Sequence, residues 1–189
     1  MKNLAKTILI LVILSSCNPS RYIFKKNRFE EFERLSLQEA VQYEKQIKSK
    51  DTTPGHLIRI GEGIYPNAKQ FNLSTPRTYQ RLEGDLLHEV EYFYNSEDNS
   101  VKVILYEWVD CDNNNINKQL FNEKFRYLQN KLTDKLGTPS DVEINSPNSE
   151  TTFLDGIKWT ENNNPKAYLF MLGNNKTNYR KIRLAIYIE

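Results

Sequence analysis

Residues 86–110 read LLHEVEYFYN, SEDNS, VKVILYEWVD: two runs rich in β-branched and aromatic residues, joined by a short polar connection. That layout predicts a β-hairpin. In the second run both alternating faces are apolar, with Val101, Val103 and Leu105 on one and Ile104, Tyr106 and Trp108 on the other. A strand packed on one face only would alternate with polar residues. This one is therefore expected in the interior of a sheet, covered on both sides.

Downstream, residues 116–136 place Phe121, Phe125, Leu128, Leu132 and Leu136 in one helical stripe. Gly137 stands at the C-cap position and Pro139 blocks continuation. Three further strands are expected at TFLDGIKWT (152–160), KAYLFML (166–172) and YRKIRLAIYI (179–188). The last alternates Ile182, Leu184, Ile186 and Ile188 against Lys181, Arg183 and Tyr187. Strands linked by tight polar turns pair antiparallel. Upstream, SLQE (36–39) is a capping box that opens a short helix, with Leu37, Ala40, Val41 and Ile47 facing inward and DTTPG (51–55) ending it. Residues 56–72 look strand-like in short pieces. The predicted class is α+β: an antiparallel sheet of about five strands, a long helix packed on one face, and a short N-terminal helix. Residues 36–189 form one domain in this reading, since no internal repeat or long linker divides them.

The start of the chain has a different character. Lys2 and Lys6 precede the apolar run Ile8–Leu14, and polar residues begin at Ser15. The run is far shorter than the roughly 20 residues that cross a bilayer, and it has the layout of a secretory signal. Its end, Leu14-Ser15-Ser16-Cys17, resembles the lipobox of bacterial lipoproteins. The resemblance covers residues 1–17 and implies a signal peptide over 1–16, cut before Cys17. It also implies a diacylglycerol thioether on Cys17, with its new amino group acylated. Several acyl chains make a lasting membrane anchor where one would not. Asn18 stands where an aspartate favours inner-membrane retention in that family, so the outer membrane of a Gram-negative cell is the implied location. Residues 17–35 then read as the lipidated cysteine and a polar tether.

Composition limits the function further. Of 26 Lys and Arg residues, two lie in the leader, leaving 24 against 24 Asp and Glu. A balanced domain in the envelope does not point to nucleic acid. With Cys17 lipidated, Cys111 is the one remaining thiol, so stability must come from a packed core. The 21 asparagines suit turns and suggest an AT-rich genome of the Bacteroidetes type. Asp51-Thr52-Thr53 is similar to the O-glycosylation signal of exported Bacteroidetes proteins, which implies a glycan on Thr52.

Candidate chemistry is sparse. DCDNNN (110–115) opens like a calcium loop, with Asp110, Asp112 and Asn114 as oxygen ligands. It then departs, with Asn115 in place of the glycine and Phe121 in place of the bidentate glutamate. A capped turn between strand and helix accounts for it as well. Cys111 needs a nearby base to act as a nucleophile, and the only histidines are His56 and His88. HEVE (88–91) begins a zinc motif but has Tyr92 where the second histidine belongs. On a strand, His88 faces away from Glu89 and Glu91. No cofactor motif is present, and no catalytic set assembles.

Three functions compete on these terms. The favoured one is a non-catalytic, membrane-anchored lipoprotein that binds a protein partner as an accessory subunit or immunity-type protein. Its expected interface is exposed aromatics drawn from Tyr92, Tyr94, Tyr106, Trp108, Trp159 and Tyr168. A binder of a small glycan or lipid predicts a concave pocket of several hundred Å³. A carboxylate-dependent hydrolase using Glu89/Glu91 or Asp110/Asp112 predicts paired carboxyls in a cleft, one with a raised pKa.

Overall fold

A computed structural model describes residues 35–110, 117–144, 151–161 and 165–187. Helix α1 (Leu37–Gln46) starts at the expected capping box, where Ser36 Oγ accepts from the Glu39 amide at 3.3 Å and the Glu39 carboxylate accepts from the Ser36 amide at 2.8 Å. Helix α2 (Lys118–Leu136) is capped by Asn117, whose side-chain oxygen accepts from the Gln119 and Leu120 amides. Gly137 ends it at φ +82°, a value that suits glycine. Among the described residues, no helix is long and apolar enough to cross a membrane.

The sheet is larger than the five predicted strands. It has eight: β1 (Lys50–Asp51), β2 (Arg77–Glu83), β3 (Leu86–Tyr94), β4 (Val101–Asp110), β5 (Asp141–Glu143), β6 (Thr152–Trp159), β7 (Lys166–Asn174) and β8 (Arg180–Tyr187). Their order is β1-β2-β3-β4-β8-β7-β6-β5, antiparallel throughout. With 43% of the described residues in the sheet and 21% helical, the α+β layer of about five strands is corrected to a sheet-dominated fold. The five predicted strands are all present, and β1, β2 and β5 are the additions. Strands β1 and β5 are two and three exposed residues, too short for any periodicity. In RTYQRLE (β2) the expected alternation is hidden, because Arg81 and Glu83 occupy inward positions where apolar residues were sought.

The hairpin expectation is met, with β3 and β4 paired around the 96–100 connection. β4 also sits at the centre of the sheet, between β3 and β8. Its residues Ile104, Tyr106 and Trp108 pack under the helices with Phe121, Phe125, Leu128 and Leu132 of α2. Val103 and Leu105 on the reverse pack with Phe93, Ala185 and Tyr187. That second cluster is closed by Ile60 and Tyr65, with Ile58, Ile64, Ala68, Phe71 and Leu73 around them. Residues 56–72 are thus a covering loop, and the strand-like expectation for them is corrected. Gly61, Gly63 and Pro66 interrupt the apolar residues, and local turns take up the backbone, such as Tyr65 N to Gly61 O and Ala68 N to Tyr65 O.

Candidate functional site: the open sheet face

The loop over residues 56–72 covers only part of the face turned away from the helices. Two rows of side chains cross six strands beside it. The outer row, through successive cross-strand partners, is Leu82, Leu87, Val109, Lys181, Leu172 and Leu154. At about 4.8 Å per strand it runs about 24 Å. Leu82 is 63% exposed, the other four apolar residues are half-buried, and none of the five belongs to either core cluster. The outer face of an antiparallel sheet is ordinarily polar. An apolar row there has no structural need to exist.

The second row is charged: Gln80, Glu89, Glu107 and Arg183, continuing to Phe170 and Gly156. Glu107 accepts from Lys181 Nζ and from Arg183 Nε, each at 2.6 Å. Gln80 Nε2 donates to Glu89 at 2.6 Å. Lys181 thus leans its charge out of the apolar row and leaves its aliphatic stem in it. Next along β3 on the same face, burial pushes the Glu91 carboxyl up to about 7, reinforced by the negative charge of Glu89 and opposed by Arg183.

A raised carboxyl favours the fold while it holds its proton. That stability is fully present below the ordinary value of 4.5, and it is lost as pH rises to about 7. The neutral variant Glu91→Gln should therefore gain on the wild type across this window, by about 1–2 kcal/mol after allowance for solvent screening, and hold level above it. Urea midpoints measured from pH 4.5 to 8 check this; parallel profiles for the two proteins would refute it.

Of the carboxyl pairs expected of a hydrolase, Glu89 and Glu91 do share one face, with Glu91 raised and Glu107 as a third carboxyl near them, while Asp112 lies outside the described residues. The three glutamates sit on an open face, and the groove in the covering loop is lined by none of them.

The expected aromatic interface is corrected for five of its six members. Tyr92, Tyr106, Trp108 and Trp159 are at most 1% exposed and lie under the helices. Three of them turn their polar groups inward: Tyr92 OH donates to Glu44 at 2.6 Å, Trp108 Nε1 to Glu83 at 2.7 Å and Trp159 Nε1 to the Gly137 carbonyl at 3.0 Å. A long hydrophobic body with a satisfied polar tip belongs in a core. Tyr94 is half-buried against that same core. Tyr168 alone lies half-buried on the open side, its ring 4.6 Å from Phe170 and under the Lys158 ammonium at 5.3 Å.

His88 is fully buried on the helix side, facing away from Glu89 and Glu91 as expected, while His56 is exposed in the covering loop. Asp110 closes β4 opposite Leu86. Cys17, Cys111, Asp112 and Asn114 lie outside the described residues. Thr52 is half-buried at the sheet edge, its hydroxyl 3.5 Å from the Thr78 carbonyl. Among the described residues no group of three His, Cys, Asp or Glu side chains is placed to hold a metal.

The apolar row did carry a signal in the sequence. Leu86-Leu87, Trp108-Val109, Phe153-Leu154 and Met171-Leu172 are adjacent apolar pairs, and in a strand one member of each must face outward. No protein family, curated protein or solved structure matches this chain.

Proposed function

We propose that this chain is a lipoprotein anchored through Cys17, in the outer membrane of a Gram-negative envelope, and that its domain is a non-catalytic binding module for a protein partner. The observation that carries the binding role is the apolar row of Leu82, Leu87, Val109, Leu172 and Leu154 on the open sheet face. A row of apolar side chains left only partly covered, with a polar and charged border, has the composition of a protein interface. The border is the row of Gln80, Glu89, Glu107 and Arg183, which would set register and orientation. The anchor rests on the leader and on Leu14-Ser15-Ser16-Cys17, and Cys17→Ala is expected to leave the protein unacylated and off the membrane.

The experiment is site-specific photo-crosslinking in intact cells, with the crosslinking residue at Leu87 or Val109. The control position is the exposed Asp134 on α2. A discrete adduct from both sheet positions and none from Asp134 is the expected result. Equal labelling from all three positions, or none from the sheet, would sink the reading.

A further inference from the structure

The covering loop contains a groove of about 630 Å³, at the other side of the second face from the apolar row. This lies within the range of roughly 300–1,000 Å³ common for small-molecule sites. Its floor is Phe93 of β3 and Ile60, with Ala68, Phe71 and Leu73 as walls. Leu57, 55% exposed, extends the apolar surface to the lip. Three charged residues line it, and they are not equivalent. Lys69 is paired with Glu62 at 3.0 Å. Arg59 is exposed and makes no ion pair or hydrogen bond among the described residues. The groove therefore combines an apolar trough with one uncompensated guanidinium on its rim.

We infer that this groove binds a free single-chain carboxylate, a fatty-acid monomer, with its hydrocarbon chain along Phe71 and Leu73 and its carboxylate on Arg59. An uncharged apolar ligand would leave Arg59 unused. A polar glycan would leave the exposed Leu57 and the half-buried Phe71 and Leu73 without a partner. A guanidinium fits a carboxylate through paired N–H donors, a stronger contact than a neutral hydrogen bond. On one side of the β3–β4 connection the Asn72 carbonyl accepts from the Ser96 amide and the Tyr94 carbonyl from the Ser74 amide, which pairs Leu73 with Asn95; on its other side Leu35–Leu37 bond to Val101 and Asn99. Leu73, Asn95, Ser100 and Ser36 lie side by side, so about 15 Å, three strand spacings, separates the groove wall from Ser36. The groove wall thus lies on the same edge of the domain as Leu35, the first of the described residues. This inference does not rest on the protein-binding reading, which uses other residues.

The test is equilibrium binding of laurate and of dodecanol, each below its aggregation limit, to the purified chain by calorimetry. Arg59→Gln removes the charge from an exposed position, and Ala68→Trp fills the trough; near-UV circular dichroism checks that each variant stays folded. Saturable laurate binding near one per chain is expected. Arg59→Gln should weaken it roughly tenfold while leaving dodecanol unchanged, and Ala68→Trp should abolish both. Three results would overturn the inference: no saturable laurate binding, laurate binding indifferent to both variants, or association with phospholipid vesicles but not with monomeric laurate.

Discussion

Replacing Lys124 with alanine is expected to cost the fold about 3–5 kcal/mol, a large share of what a domain of this size has. Lys124 Nζ lies 2.6 Å from Glu83 Oε1, and each side chain is 3% exposed. The second carboxylate oxygen of Glu83 accepts from Trp108 Nε1 at 2.7 Å, and the ammonium sits 4.6 Å from the Trp108 ring centroid. Burial pushes the lysine pKa below its ordinary value, with Glu83 pulling the other way. Removing the lysine leaves a carboxylate in a low-dielectric interior with only an indole N–H to answer it. The cost comes from the stranded charge more than from the lost attraction. The double variant Glu83→Gln with Lys124→Met should therefore recover most of the loss. Methionine keeps the aliphatic volume, and the amide oxygen still accepts from Trp108. Urea unfolding of both proteins decides it. A single variant within about 1 kcal/mol of wild type would show that the pair is solvated. A double variant as unstable as the single one would show that the attraction itself was holding the fold.

That buried pair also shows where sequence reading stops. Long runs with clear periods were legible: the hairpin of β3 and β4, the stripe on α2, the alternation of β8. Each buries apolar residues against apolar residues, so spacing reveals the face. Strand β2 was not legible, because two of its inward positions beside Tyr79 are Arg81 and Glu83, and their partners, Glu44 and Lys124, lie 37 and 41 residues away. A charge that is neutralised at such a distance looks like a surface residue. The same limit hides which aromatics are exposed. Tyr92, Tyr106, Trp108 and Trp159 are large side chains of β3, β4 and β6, and chain alternation alone leaves open which face will be covered by helices. Once the helix face is known, the adjacent apolar pairs assign the outward members at once. The covering loop is not legible as one for a related reason. Its apolar residues serve the second face of β4, a demand visible in β4 itself but not in the loop that meets it.

His88 gives the second large effect, and it acts through pH. Its side chain is fully buried, and neither ring nitrogen has a hydrogen-bond partner among the described residues. It is stacked 4.8 Å from Trp108 and 5.7 Å from Tyr106, near-parallel to both. Burial holds its pKa well below the ordinary 6.5, and the cations Arg81 and Lys124 depress it further. Those two are balanced by Glu44 and Glu83, so an imidazolium would find no free acid beside it. The sign follows from the depressed value: below pH 6.5 the unfolded chain takes a proton that the folded chain refuses. Stability is therefore complete above pH 6.5 and falls as the medium is acidified, by up to about 1.4 kcal/mol per pH unit from this one group. The variant His88→Phe keeps a flat ring beside Tyr106 and Trp108 and drops both unpartnered nitrogens. At pH 7.5 it should lie within about 1–2 kcal/mol of wild type, since a slightly larger ring offsets the relief of two buried polar atoms. By pH 5 it should be the more stable protein. The Glu91 effect runs in the opposite direction over nearly the same range, so the wild-type profile alone will look flatter than either contribution. Only the differences against His88→Phe and Glu91→Gln separate them. If the His88→Phe difference from wild type does not change between pH 7.5 and 5, the imidazole accepts its proton in the folded state, and the ring stack must open at acid pH to admit water.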